Sequence, residues 1–393
     1  MNKKNIIFVI PTMRMGGAEK SLVSLLKALD SKRVNVDLFL FESGGVLQPE
    51  IPKWVNIIEA DPVTRGMTLE MRKYLGGVLR CGHIRAAISR LCITLNSRFS
   101  KSPKFSWGKI KKYIPELPKY YDVAIGYLEG FSDYFVLDKV NADKKIGWIH
   151  TDFNGRKLAP EDIEYYNRFD KLVTISDICK DAFISAVSLP ESKIHILENI
   201  VLTDEVRSKA SINAEDDWED SHNVHLVSVG RLEYQKGMDI AAHTAKVLAD
   251  RNISFCWHIY GKGIMKEEIE QYIRENKIEN NFILEGLREN PYPYMKKADI
   301  IVQPSRLEGK SIVLDEAKIL GKAIVVTYYP SVTDQITDGE TGIITEINPE
   351  KIADGIELLI NNKELREKLE NNAANEPNRS YKALDMFYDL INC

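Results

Sequence analysis

Short apolar segments alternate with amphipathic segments along the first half of the chain. After the first apolar segment, Leu22, Leu25, Leu26 and Leu29 recur at helical spacing, which is typical of a helix that packs by one face. This alternation predicts parallel β-α units. The strands predicted in this half are Ile6–Ile10, Val36–Phe41, Val123–Gly126, Lys145–Ile149, Leu172–Ile175 and Ile194–Leu197.

The same rhythm returns in the second half, with helices predicted over Met238–Ala249 and Lys266–Asn276. Residues 201–223 separate the halves; they are acidic and show no strand pattern, so they are interpreted as a linker. The strands predicted after it are Val224–Val229, Phe255–Tyr260, Phe282–Leu284, Ile300–Gln303, Ala323–Val326 and Ile343–Ile344.

A chain of 393 residues is too long for one ordinary hydrophobic core. We therefore expect an α/β protein with two Rossmann-like, doubly wound domains. The expected boundaries are 1–200 for the N-terminal domain, 201–223 for the linker, 224–377 for the C-terminal domain and 378–393 for a final helix. That helix carries Leu384, Phe387, Tyr388 and Ile391 on one stripe.

The cysteines and the first apolar segment bear on the cellular compartment. The five cysteines are scattered and never spaced as C-x-x-C, so neither a disulfide framework nor a zinc site is expected. The run Ile6–Ile10 ends at Pro11, which is too short for a signal peptide, and no run approaches the roughly 20 apolar residues of a membrane-spanning helix. These features favour a cytoplasmic protein.

Three loops that follow predicted strands carry candidate chemistry. Glu308 and Glu316 lie a little over two helical turns apart, and the N–H groups of Ser311 and Ile312 would open a helix N-terminus suited to a diphosphate. In the loop Gly230–Gly237, the cations of Arg231 and Lys236 could converge on one phosphate group. Gly16 and Gly17 follow the first strand, where glycine permits close approach to a ligand. Taken singly, each loop is equally consistent with ordinary capping, solvated charges or a tight turn.

In their order and spacing, these loops resemble a large family of retaining glycosyltransferases with the GT-B fold, which includes bacterial capsule and lipopolysaccharide enzymes. The resemblance covers nearly the whole chain. It also rests on Ile146–His150, Thr174–Ser176, Glu198–Ile200, Gly261–Gly263 and the E-x(7)-E element from Glu308 to Glu316.

The resemblance implies a role for each matching position. Arg231 and Lys236 would hold the diphosphate of a sugar nucleotide, Glu316 the ribose, and Glu308 with the backbone of Lys310 and Ser311 the donor sugar. Leu287 and Arg288 would face the base, for which uridine is favoured. His150 would lie beside the transferred sugar, and Gly17 would approach the donor from the other domain across a cleft. The final helix would return to the N-terminal domain.

The sequence departs from the family pattern at one place that concerns the donor. Lys310-Ser311 stands after Glu308-Gly309 where many members have an aromatic residue and then glycine, so the donor sugar stays open. No D-x-D motif occurs in the sequence, which disfavours a metal-bridged diphosphate, and no cofactor or metal is expected. Cations and a helix N-terminus can supply the same positive potential.

Residues 65–119 form a basic segment, with 13 Lys and Arg against Glu70 and Glu116, a net charge of +11. Apolar side chains are interleaved, among them Leu79, Ile84, Ile88, Trp107 and Ile110. A basic amphipathic helix is typical of binding to an anionic membrane surface. A packed helix with a solvated cationic face is the alternative, and no nucleic-acid-binding motif accompanies the segment.

The sequence therefore predicts a retaining, metal-independent glycosyltransferase at the inner face of the plasma membrane. It would move a sugar from a nucleoside-diphosphate sugar to a carbohydrate, with a lipid-linked intermediate of bacterial surface polysaccharide as the expected acceptor. A nucleotide-sugar epimerase on the same fold and a non-catalytic sugar-nucleotide-binding subunit are the alternatives.

Overall fold

The computed structural model describes residues 3–68, 76, 79, 84–85, 87–88, 103–151, 153, 160–187, 189–213, 218, 224–377 and 380–392. The chain divides into two compact units. The first comprises Met1–Ile200 with Ser380–Cys393, and the second comprises Val201–Arg379.

The first unit contains a parallel sheet of seven strands in the order β3-β2-β1-β4-β5-β6-β7. The strands are β1 Lys4–Ile10, β2 Val34–Leu40, β3 Asn56–Glu59, β4 Tyr120–Gly126, β5 Asn141–Ile149, β6 Lys171–Thr174 and β7 Ile194–Ile196. Six of these strands are where the sequence predicts them. The edge strand β3 was not predicted, because two isoleucines between polar residues give no recognisable period.

Helices cover the sheet of the first unit. They are α1 Gly17–Ala28, α2 Pro62–Thr68, α3 Pro103–Ile110, α4 Phe131–Lys139, α5 Pro160–Asn167 and α6 Asp177–Val187. The buried stripe of α1 includes Leu22, Leu25 and Leu26, as the helical spacing predicts.

The C-terminal helix, Ser380–Asn392, packs on the first unit. The ring of Phe387 stacks on Phe8 with centroids 6.0 Å apart. The backbone N–H of Asp30 donates to the hydroxyl of Tyr388 at 2.8 Å. The apolar stripe of this helix therefore covers the first sheet although more than 180 residues separate the two in sequence.

The second unit contains a parallel sheet of six strands in the order β10-β9-β8-β11-β12-β13. The strands are β8 Val224–Val229, β9 Phe255–Tyr260, β10 Phe282–Gly286, β11 Ile300–Gln303, β12 Ala323–Thr327 and β13 Ile343–Thr345. All six agree with the prediction to within two residues. The helices of this unit are α7 Thr203–Ala210, α8 Met238–Asp250, α9 Lys266–Asn276, α10 Tyr292–Lys297, α11 Ile312–Ile319, α12 Pro349–Asn361 and α13 Lys363–Ala374, so the C-terminal helix is α14.

The stretch 201–223 is not simply a linker. Helix α7 lies within it and packs on α10 and α11 of the second unit. Val206 and Ala210, four residues apart, form its buried face. The acidic residues around them dominate the composition and conceal this short apolar face.

The basic segment is described only in part, and the part described corrects one expectation. Trp107 and Ile110 are fully buried in the core of the first unit instead of facing outward. The indole N–H of Trp107 donates to the Asp138 carboxylate at 2.8 Å. Leu79, Ile84 and Ile88, in contrast, are 48%, 61% and 56% exposed. Among the described residues, no helix is long and apolar enough to cross a membrane.

Candidate active site

The strand order of the second sheet places two of the candidate loops side by side. Strand β8 lies between β9 and β11 in the sheet, although three helices and two strands separate β8 from β11 in the chain. Parallel α/β sheets bind ligands at the carboxyl ends of strands where the order reverses in this way. The loop after β8 carries Arg231 and Lys236, and the loop after β11 carries Glu308.

A glycine makes the close contact between these two loops possible. Gly237 has φ +65°, and a Cβ atom there would lie 1.9 Å from the carbonyl oxygen of Pro304. The guanidinium of Arg306 binds both carboxylate oxygens of Asp239 at 2.8 and 2.6 Å. The two loops are therefore held together at a fixed separation.

Glu308 lies at the centre of the site. It is only 5% exposed, and its carboxylate accepts hydrogen bonds from the ammonium of Lys236 at 2.6 and 2.8 Å. The side chains of Gln303 and Ser305 also donate to its Oε1, at 3.1 and 2.7 Å. Charge pairing together with neutral donors compensates the cost of burying this carboxylate.

Arg231 does not share this partner. Its guanidinium pairs with Glu233 at 3.0 Å, and its side chain is 53% exposed. The structure therefore holds Arg231 and Lys236 on different carboxylates, and convergence of the two cations on one group is not seen. The Arg231 pair is a surface ion pair, which is typically worth only about 0–1 kcal/mol, so the guanidinium can reorient at little cost.

At the N-terminus of α11, Ser311 is bonded to a glutamine side chain. The backbone N–H of Ser311 donates to the side-chain oxygen of Gln335 at 2.7 Å, and the amide of Gln335 donates back to the Ser311 carbonyl at 2.8 Å. This N–H is therefore already used within the protein. Lys310 is partly exposed beside it, and the side chain of Ile312 packs into an apolar cluster with Val201 and Val206.

Glu316 lies inside α11 and is 1% exposed. The hydroxyl of Tyr292 donates to its Oε1 at 2.8 Å. Glu308 lies in the loop that precedes α11, which begins at Ile312, and both carboxylates are buried.

The loops after β9 and β10 border the same end of the sheet. A Cβ atom at Gly261 would lie 1.8 Å from the carbonyl oxygen of Gly230, so the loops after β8 and β9 are in close backbone contact. Leu287 is partly buried after β10, and the exposed guanidinium of Arg288 lies 5.8 Å from the ring centroid of Tyr294.

Gly16 and Gly17 open helix α1 in the first unit, directly beyond β1. Gly16 is the N-cap in extended conformation, and a Cβ atom there would lie 2.3 Å from a carboxylate oxygen of Glu19. Gly17 is the first helical residue.

His150 follows β5 and is held by its neighbours. Its backbone N–H donates to the Glu129 carboxylate at 3.1 Å, and its ring lies 5.0 Å from that of Tyr127. Burial lowers the pKa of its imidazole to about 3, so the ring is neutral at physiological pH. Its Nε2 atom is buried with no hydrogen-bond partner among the described residues.

Glu129 also interacts with two further residues, Thr151 and Asp133. The hydroxyl of Thr151 donates to Glu129. Asp133, at the start of α4, is fully buried, and burial raises the pKa of its carboxyl well above the usual value. Asp152, which follows Thr151, lies outside the described residues.

The sequence did not reveal the residues that hold the site in place. They are Gln303, Ser305, Arg306, Ser331, Gln335 and Tyr292. Only the position of Gln303–Ser305 at the carboxyl end of a predicted strand could have drawn attention to any of them.

Comparisons with known proteins agree with this geometry. Residues 214–376 match the family model described as glycosyl transferases group 1. In solved structures, Anabaena HepE in complex with UDP and glucose has a TM-score of 0.70 at 15% identity, covering 99% of each chain. The fold is thus GT-B, with two parallel-sheet Rossmann-like domains.

Two curated relatives come from Campylobacter jejuni. The N-acetylgalactosamine-N,N'-diacetylbacillosaminyl-diphospho-undecaprenol 4-alpha-N-acetylgalactosaminyltransferase is 27% identical over 213 residues, which is 53% of this chain and 55% of that enzyme. The GalNAc-alpha-(1->4)-GalNAc-alpha-(1->3)-diNAcBac-PP-undecaprenol alpha-1,4-N-acetyl-D-galactosaminyltransferase is 24% identical over 382 residues, 94% and 92% of the two chains. With other curated relatives the match covers from 28% to 62% of the relative, so the chain spans less than two thirds of their length.

Proposed function

We propose that this protein is a retaining glycosyltransferase that moves a sugar from a UDP-sugar to a carbohydrate acceptor. The acceptor class that fits best is a lipid-linked intermediate of bacterial cell-surface polysaccharide. The observation that carries the proposal is the buried Lys236–Glu308 pair, because it joins a cation for a phosphate and a carboxylate for sugar hydroxyls at one strand switch point.

The pair can separate without losing its framework. Lys236 has a flexible stem and is 21% exposed, whereas Glu308 stays anchored by Gln303 and Ser305. On donor binding, the ammonium would move to the diphosphate and leave Glu308 to accept hydrogen bonds from hydroxyls of the donor sugar. Arg231, held only by an exposed pair, would add a second positive charge.

The transfer is a substitution at the anomeric carbon. The bond to the diphosphate oxygen breaks, the bond to the acceptor oxygen forms on the same face, and the departing diphosphate takes the acceptor proton. Arg231 and Lys236 would stabilise the negative charge that grows on the leaving group, and such stabilisation is strongest where water is excluded. We therefore propose that the reaction needs neither a metal ion nor another cofactor.

His150 would contribute as a hydrogen-bond acceptor. A ring with a pKa of about 3 is neutral and cannot serve as a general acid near neutral pH. Its Nε2 can accept a hydrogen bond from a sugar hydroxyl.

The remaining positions would complete the donor site. Glu316 would bind the ribose hydroxyls. Leu287, Arg288 and Gly261 would line the base, and Lys310, Ser311 and Ile312 would border the donor sugar. Since the Ser311 N–H is bonded to Gln335, its use for the donor would require that side chain to move.

The names of the relatives support the donor and acceptor classes. Both Campylobacter relatives are named for a saccharide on diphospho-undecaprenol, and the Anabaena structure is described with UDP and glucose. A lipid-linked acceptor requires access to a membrane surface. We propose that the basic segment 65–119 docks the protein on the anionic inner face of the plasma membrane.

Docking would use only part of that segment. Lys111 and Lys119 are already paired with Asp138 and Asp37 at 3.0 and 2.9 Å. The exposed Leu79, Ile84 and Ile88 are the described apolar side chains that could enter the headgroup boundary.

The test is a panel of nucleotide sugars, first by thermal shift and then in assays with and without a lipid-linked saccharide acceptor. A specific donor should raise the melting temperature, and product should form only when the acceptor is present. Conversion of the donor alone to an epimer would establish the epimerase alternative, and donor binding without any product would establish the binding-subunit alternative.

A further inference from the structure

A cluster of metal-ligating side chains lies in the second unit, apart from the loops described above. His225 on β8 and Cys256 and His258 on β9 each present one ligand atom, and the three atoms lie within 4.8 Å of one another. The register places His225 beside Cys256, and His258 is two residues further on the same face of the strand. The sheet thus brings together residues whose spacing in the sequence suggested no metal site.

The geometry of the two imidazoles suits a shared ion. His225 Nδ1 and His258 Nε2 are 3.2 Å apart. Two nitrogen ligands of a tetrahedral Zn²⁺, with bonds of about 2.0–2.1 Å, lie about 3.3 Å from each other. A nitrogen–sulfur separation of about 3.5 Å would complete the same geometry, and Cys256 Sγ lies within 4.8 Å of both nitrogens.

A neighbouring carboxylate fixes the tautomer that binding requires. Glu285 on β10 lies 2.8 Å from His258 Nδ1. Because a carboxylate oxygen accepts, Nδ1 carries the proton and Nε2 presents its lone pair toward His225. A carboxylate behind a ligating histidine is the usual outer partner in zinc sites.

Burial and charge also favour a cation here. His258 is 2% and Cys256 8% exposed, and the ring of Trp218 stacks on both imidazoles with centroids 4.7 and 4.1 Å apart. One thiolate together with the Glu285 carboxylate balances the two charges of Zn²⁺. Burial raises the pKa of the Cys256 thiol to about 11, so an ion must displace its proton, as coordinating Zn²⁺ does.

We propose that His225, Cys256 and His258 form a structural Zn²⁺ site that ties β8 to β9 and secures Trp218 against the sheet. Imidazole and thiolate are ligand types that suit zinc. His225 and Cys256 are each the second residue of their strand, whereas the donor loops follow the carboxyl ends. The site therefore stabilises the second unit and takes no part in transfer.

The test uses the full chain after dialysis against a chelator and then against chelator-free buffer. Calorimetric titration with Zn²⁺ alone should give one ion per chain and a higher melting temperature. Titration with Co²⁺ should give a sulfur-to-cobalt charge-transfer band, which reports thiolate ligation directly.

The variant Cys256→Ser should abolish that band and weaken Zn²⁺ binding by more than about 100-fold, and Glu285→Gln should weaken it by about 10–100-fold. Cys179→Ser, which removes another buried thiol, and His243→Asn should leave binding unchanged. If Cys256→Ser does not fold, the Co²⁺ charge-transfer band of the wild-type chain still reports whether a thiolate binds the ion. No stoichiometric Zn²⁺ binding, or no charge-transfer band, would overturn the proposal.

Discussion

The ammonium of Lys236 binds the buried carboxylate of Glu308 at 2.6 Å, across two loops that are 72 residues apart in sequence. Their strands, β8 and β11, are neighbours in the sheet. The two side chains for which the resemblance implied separate contacts with phosphate and sugar are thus directly bonded to each other. We propose that donor binding breaks the Lys236–Glu308 bond. Lys236 then contacts the diphosphate, and Glu308 contacts hydroxyls of the donor sugar.

Replacing either cation should reduce turnover while leaving the fold intact. We expect Lys236→Ala and Arg231→Ala each to lower kcat by about 10²-fold or more, the scale for losing one preorganised electrostatic contact. Steady-state kinetics with melting temperatures will measure both effects. Lys246→Ala, which removes an exposed pair with Asp250, is the matched control and should retain full activity. Wild-type kinetics in a folded Lys236→Ala variant would remove this residue from the mechanism.

Gly237→Ala should destabilise the protein more than alanine at another glycine with positive φ. Gly339 has φ +70° with nothing within 4 Å of its Cβ position, so Gly339→Ala incurs only backbone strain, about 1 kcal/mol. Gly237→Ala adds the clash with the Pro304 carbonyl and should cost several kcal/mol or displace the loop. Urea unfolding measures how much each variant lowers the free energy of unfolding. Equal decreases in the two variants would mean that the loops after β8 and β11 are not in the contact described.

Because His150 is neutral in the folded protein, stability should decrease as pH falls. Its pKa is about 3 in the folded protein and about 6.5 when unfolded, so the unfolded state binds more protons between these values. The stabilisation that this group contributes is fully present above pH 6.5 and is lost as pH falls toward 3. By pH 5 the free energy of unfolding should have fallen by about 2 kcal/mol.

Urea unfolding from pH 7 to pH 5 tests this assignment. His150→Leu should show a shallower fall in the free energy of unfolding than the wild type. A residual slope is expected from His195, whose pKa burial also lowers. His243→Leu, at an exposed position, should behave as the wild type. An unchanged slope in His150→Leu would mean that the ring is not buried and neutral.

The sequence predicted the sheets well because their strands are buried on both faces and read as continuous apolar runs, as in Phe255–Tyr260. It failed at β3, an edge strand with two apolar residues, and at α7, whose buried face is two residues wide. Motifs in the sequence suggested the candidate site residues, but they could not identify the hydrogen-bond partners of those residues. The bond between Ser311 and Gln335 depends on tertiary packing that no local pattern encodes.

The basic segment leads to a prediction about membranes. We expect co-sedimentation with anionic but not neutral liposomes at low salt, since each contacting Lys or Arg contributes about 1 kcal/mol. Binding should weaken with added salt because of screening. Charge reversal at Arg72, Lys73, Arg80 and Arg85 should reduce binding and transfer to a lipid-linked acceptor while sparing donor binding. Equal recovery with both lipids, or none at any salt, would leave the segment a solvated face.

The central claim is tested most directly by the stereochemistry of the product. The protein should be incubated with a UDP-sugar selected by thermal shift and a lipid-linked saccharide, and the new linkage assigned by proton NMR. The account predicts that the sugar keeps the anomeric configuration that it has in the donor and that UDP is released in equal amount. An inverted linkage, or consumption of donor without transfer to any acceptor, would contradict it.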